Sequence, residues 1–78
     1  MEKVFIVKWC NNELYDEIVD TKGVFSSMEK AQSYIDKWEA DYRKQGKEFF
    51  IHRGEEFNEE DFKDYFPETM WINTWDVQ

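Results

Sequence analysis

The sequence predicts an α+β domain: a mostly antiparallel sheet of about four strands, one long helix packed on a face, and a second short acidic helix, in the order β-β-α-β-α-β. Three observations lead there. Two runs, Val4–Trp9 and Met70–Val77, are rich in the β-branched and aromatic residues that strands favour. Between them Met28, Ala31, Ile35, Trp38 and Tyr42 recur at three- and four-residue spacing, the period of one helix face. The chain has 78 residues, which is one domain's worth, so the expected unit spans 1–78.

In Val4–Trp9 the alternation places Phe5, Val7 and Trp9 on one face and Val4 and Ile6 on the other. Both faces are apolar, which predicts an inner strand. Cys10-Asn11-Asn12-Glu13 is turn chemistry. Tyr15–Phe25 then reads as a more polar, edge-like return strand, interrupted near Lys22-Gly23 and burying Ile18, Val24 and Phe25.

Ser26-Ser27-Met28-Glu29 fits a capping box, in which a serine accepts from the backbone N–H three residues on and the glutamate there reaches back. The expected helix runs over 27–45, with Gly46 closing it in the left-handed conformation. Burying its stripe contributes about 1.5 to 3 kcal/mol for each large side chain, which makes this helix the main clamp of the fold. Glu48–Arg53 reads as a third strand. Asn58 can cap a short helix through Tyr65, Phe57 and Phe62 form a hydrophobic staple across its start, and Pro67 ends it. In the closing strand Trp71, Trp75 and Val77 lie opposite Met70 and Ile72.

The charge balance narrows the partners. Eighteen acids against ten bases give a net charge of −8, which argues against direct contact with nucleic acid or an anionic membrane, since both need a cationic footprint. No apolar run approaches the roughly 20 residues of a membrane span. The lone Cys10 has no partner for an internal disulfide, and with the lone His52 it falls short of a zinc site, so a reducing, cytoplasmic setting and no metal or cofactor are expected. Within residues 55–68 seven carboxylates face one lysine, which is six of the eight net negative charges.

Catalytic patterns find little support. Cys10 and His52 have no spacing that suggests a nucleophile and base, Ser26 and Ser27 lack the Gly-x-Ser-x-Gly elbow, and the acidic segment lacks the alternation of a calcium loop. Two readings of that segment remain open. It is a solvated face that keeps the protein soluble, or Glu56, Glu60, Asp61 and Asp64 present a helical row that mimics phosphates. The aromatics have two readings as well. Trp38 belongs to the helix stripe, whereas Trp9, Trp71 and Trp75 share a strand parity with Phe5, Val7 and Val77. That set is core if the long helix covers it, which is the favoured reading, and is otherwise left to the acidic helix, a homodimer mate or a partner.

The stretches Lys3-Val4-Phe5-Ile6-Val7 and Gly23 through Ala31, with the closing aromatic strand, resemble small ββαβ domains of unknown function from bacteria and their phages. The resemblance spans about residues 3–38 and 69–77, and an insertion at 46–66 departs from it. It implies a fold and an accessory bacterial or phage protein. Together these readings lead to a non-enzymatic, phage-encoded protein that binds and modulates or inhibits a host protein. Its expected surface is Glu55, Glu56, Glu59, Glu60, Asp61, Asp64, Glu68, Trp71 and Trp75. The alternatives are a nucleic-acid mimic occupying a DNA- or RNA-binding site, and a small enzyme or ligand-binding domain.

Overall fold

The computed structural model describes residues 2–77; Met1 and Gln78, the ends of the expected domain, lie outside the described residues. Five elements follow one another: β1 (Glu2–Cys10), β2 (Val19–Phe25), α1 (Met28–His52), α2 (Glu59–Tyr65) and β3 (Thr69–Val77). The fold is α+β, with an antiparallel three-stranded sheet ordered β2-β1-β3. β1 is the inner strand, as its two apolar faces require. It pairs with β3 over nine unbroken positions, from Glu2 with Val77 to Cys10 with Thr69. Against β2 the register slips between Val7 and Lys8, at the expected interruption near Lys22-Gly23.

The order is therefore β-β-α-α-β rather than β-β-α-β-α-β, because Glu48–Arg53 is not a strand. These residues form the last turns of α1 and its C-cap. Phe49 and Phe50 lie seven and eight residues after Tyr42, so they continue the helix stripe instead of starting a new period. Gly46 does not close the helix either. It is buried within the helix, and a Cβ built there would collide with the ring of Phe62. Glycine is required by that approach, not by a left-handed turn. At the other end Ser27 is the N-cap, its hydroxyl accepting from the Lys30 N–H at 3.2 Å. Glu29 then sits one position short of where a reciprocal capping-box glutamate acts.

α1 spans two separate cores. Its first half seats Ala31 and Ile35 on the sheet with Val7, and Phe5, Phe25, Met70 and Ile72 pack around them. Its second half runs past the sheet, where Tyr42 and Phe50 pack with Phe62 of α2, bordered by Trp38, Phe49, Phe57 and Phe66. The molecule is accordingly long and thin, 53 × 28 × 15 Å. Of the residues expected to be buried on the return strand, Phe25 is packed, but Ile18 and Val24 are 55% and 61% exposed. Ile18 precedes β2, and Val24 points away from α1 because its neighbours Gly23 and Phe25 pair with the inward Val7 and Phe5. Met28, the first member of the helix stripe, is also exposed.

α2 forms as the sequence predicts. The Asn58 side chain accepts from the N–H groups of Glu60 and Asp61, and the Phe57 and Phe62 rings meet at 5.4 Å across the helix start. Phe66, whose backbone leaves the helical region just before Pro67, ends it.

A glycine-to-alanine change in an exposed helix interior stabilises by about 1 kcal/mol. At Gly46 the sign should reverse: Gly46→Ala should cost roughly 1 to 3 kcal/mol in thermal or urea unfolding, as an overpacked site. The cost should shrink in a Phe62→Leu background. An alanine that raised the melting temperature would show that the ring does not press on this position.

Candidate functional site

The carboxylates of residues 55–68 fall into three groups. Glu60, Asp61 and Asp64 are exposed on α2, and Glu56 is exposed in the loop before it. Glu55 and Glu59 are engaged by cations of α1 and its cap: Glu55 lies 3.6 Å from Arg53, and Glu59 receives the Arg43 guanidinium. That guanidinium holds the Glu59 carboxyl below the usual carboxylate range, and Glu59 in turn raises Arg43. Glu68 is half-buried and structural. Its carboxylate accepts from the Trp9 indole N–H at 2.9 Å, while its backbone N–H donates to the Tyr42 hydroxyl at 3.1 Å. One residue thus ties β1, α1 and the entrance to β3 together.

Arg43, Lys47 and Arg53 were not among the expected site residues, yet they organise this end of the molecule. Their cationic groups lie 5.1 to 5.8 Å from the ring centroids of Phe49, Phe57, Phe62 and Tyr65. Residues 39, 43 and 47 follow one another at four-residue spacing beside the apolar stripe, a signal that becomes readable only once α1 is extended past Gly46.

A groove of about 400 Å³ opens where α1, α2 and the start of β3 converge. Ile35, Trp38, Tyr42, Phe62, Phe66 and Met70 line its apolar part, and Glu39, Arg43, Glu59, Lys63 and Glu68 contribute charge. Trp38 stacks on Tyr42 with centroids 4.8 Å apart, so two rings form a continuous wall. This volume lies in the range of sites that hold a small ligand or a few side chains of a peptide.

The tryptophans are split by the strand register. Trp9 pairs with Met70 and lies on the helix side with Phe5 and Val7. Trp71 pairs with Lys8, and Trp75 with Val4, which places both on the opposite side of the sheet. The shared face predicted for Trp9, Trp71 and Trp75 is corrected accordingly, because parity within each strand says nothing about which face of a partner strand it joins. Among the described residues nothing covers the outer face: Trp71, Trp75, Val77 and Val24 are 37%, 60%, 44% and 61% exposed. Trp71 and Trp75 therefore face away from α1, whereas α2 packs against its second half.

Cys10 is buried at the end of β1 with its sulfur accepting from the Asn12 N–H, whereas His52 is exposed in the last turn of α1. No group of three or more His, Cys, Asp or Glu is disposed to hold a metal among the described residues, and no helix there is long and apolar enough to cross a membrane.

A family model described as "Domain of unknown function (DUF7336)" matches residues 2–78. No curated protein and no solved structure matches the chain.

Burial pushes the Tyr42 hydroxyl up to about 12 from its ordinary value of 10.0. The native state therefore holds this proton more tightly than the unfolded chain does. Its contribution to stability is complete below pH 10 and is lost as pH rises through about 12. Tyr42→Phe should remove that alkaline loss and, by deleting the acceptor for the Glu68 N–H, cost about 1 kcal/mol at neutral pH. Melting temperatures across the alkaline range for both proteins test this, and identical profiles would contradict it.

Proposed function

The chain belongs to the DUF7336 family of domains of unknown function, and we propose that it acts as a protein-binding module that modulates a partner through α2 and the groove beside it. One observation carries this reading. Glu60, Asp61 and Asp64, none of them in an ion pair among the described residues, are exposed on a capped and stapled helix whose Glu59, Phe62 and Lys63 line an apolar groove. An apolar centre with a charged surround is the anatomy of a recognition surface. Its complement is a cationic protein segment carrying one large apolar anchor. The carboxylates would steer the encounter, and the anchor would supply most of the affinity beside Trp38 and Tyr42. The resemblance to small ββαβ domains from bacteria and their phages implies an accessory protein, and modulation or inhibition of a host protein is the role we assign to such a module.

The same carboxylates support a second reading, a mimic of nucleic-acid phosphates. The two part over the groove. A mimic needs only the charges, whereas a peptide-binding module needs the apolar anchor as well.

Lysine- and arginine-rich peptides carrying one leucine or aromatic residue, titrated into labelled protein, should shift the Trp38 indole resonance. Affinity should fall as salt rises. Glu60→Gln with Asp61→Asn and Asp64→Asn should weaken binding by at least about tenfold while leaving measurable affinity through the apolar anchor. If only charge matters, the triple variant should instead lose all binding and all competition with DNA for a DNA-binding protein. Peptides that leave Trp38 unmoved, or that bind the triple variant as tightly as the parent, would defeat the proposal.

A further inference from the structure

The two edges of the sheet are built differently. β2 is short and protected: it has seven residues, a register slip, Gly23, and charges at Asp20 and Lys22. These are devices that keep an edge from pairing. β3 has no slip and no glycine, and its one charge, Asp76, stands next to its end. It runs nine residues, Thr69-Met-Trp-Ile-Asn-Thr-Trp-Asp-Val77, in unbroken register with β1, with no proline, lysine, arginine or bulge. On its other side no backbone hydrogen bond is made among the described residues. A long, regular and apolar edge of this kind is a template for another strand.

The sequence of that edge indicates which strand. About Asn73 it reads Trp71-Ile72-Asn73-Thr74-Trp75, with a β-branched residue and then a tryptophan on each side. A two-fold axis requires a self-complementary surface, in which residue i meets j while j meets i. We propose that β3 pairs antiparallel with β3 of a second copy about an axis through Asn73, joining two sheets into one of six strands. Trp71 then lies directly across from Trp75 of the second copy, and Trp75 across from its Trp71, forming two indole pairs on the uncovered face. Ile72 meets Thr74 on the helix side, and Met70 meets Asp76, so no like charges face each other along the seam.

The net charge of −8 does not oppose this arrangement. Antiparallel pairing sends the Thr69 ends, where α2 enters, to opposite ends of the seam. Eight residues of strand set those ends about 27 Å apart, beyond the roughly 8 Å over which physiological salt leaves charges in contact. The four indoles expose 37% or 60% of their surface in the single chain. Covering them and closing the strand edges removes on the order of 1,000 Å² in total, the lower bound for a specific interface. The dimer is accordingly a concentration-dependent one, with Kd on the order of 1 to 100 μM.

Position 73 is the test, because any charge placed there is set against itself across the axis. It is exposed on the open face, so substitution spares both cores. In sedimentation velocity over roughly 1 to 500 μM, the parent's average mass should climb from 9.6 kDa toward twice that value. Asn73→Lys and Asn73→Glu should each associate at least about tenfold more weakly, moving the rise in average mass to correspondingly higher concentration, while keeping the parent's far-ultraviolet spectrum. An equimolar mixture should dimerise again, since the introduced ammonium and carboxylate then face each other. A parent that stays monomeric throughout, single variants that dimerise like the parent, or a mixture no better than its components would each overturn the proposal.

Discussion

The ring of Phe62 presses against the backbone of α1 at Gly46, and most of what lies beyond the sheet depends on that contact. A helix of 25 residues is about 37 Å long. A sheet of three strands is narrow, and only the first half of the stripe, around Ala31 and Ile35, finds cover on it. The remaining half carries Tyr42 and Phe50, which must be buried by something else. α2 supplies that cover with about two turns of helix, and so small an element can reach deeply only where its partner has no side chain. The glycine gap lets Phe62 descend onto the backbone of α1, and the groove, the outward carboxylates and the path into β3 follow from that seat.

The arrangement also gives the charge a direction. Arg43 and Arg53 lie over aromatic rings and beside Glu59 and Glu55, so cations and two of the acids at this end neutralise one another. Each exposed pair adds little stability alone. Their combined effect is spatial, because what remains unbalanced is the outer row of α2. The net charge of the chain thereby becomes a property of one end rather than of the whole surface.

Local chemistry was legible in the sequence where it acts within a few residues. Asn58 caps α2, Phe57 and Phe62 staple it, and Pro67 ends it, each through contacts that span at most five positions. β1 was readable as the inner strand because both of its faces are apolar. Gly46 was not readable, since a glycine after a helical stripe marks a terminus or a close approach, and only the distant Phe62 decides between them. Its misreading turned Glu-Phe-Phe-Ile-His-Arg into a strand, although Phe49 and Phe50 keep the helical phase of Tyr42. The joint made by Glu68 with Trp9 and Tyr42 was likewise hidden, because its hydrogen bonds link positions 59 and 26 residues apart. The face of Trp71 and Trp75 depends on strand register, which parity in one strand leaves undetermined.

Two cores on one helix also bear on how the molecule breathes. Native proteins open in cooperative pieces, and the weakest piece opens first. Here α2 can lift away while the sheet and the first half of α1 stay intact, because Val7, Ala31 and Ile35 share no buried cluster with Tyr42, Phe50 and Phe62. Such sub-global opening would expose the amides of Lys44 through His52 to exchange well before those of β1. The groove would vanish in that state while the edge of β3 persisted, so the two ends of this thin domain are able to gain and lose order on separate clocks.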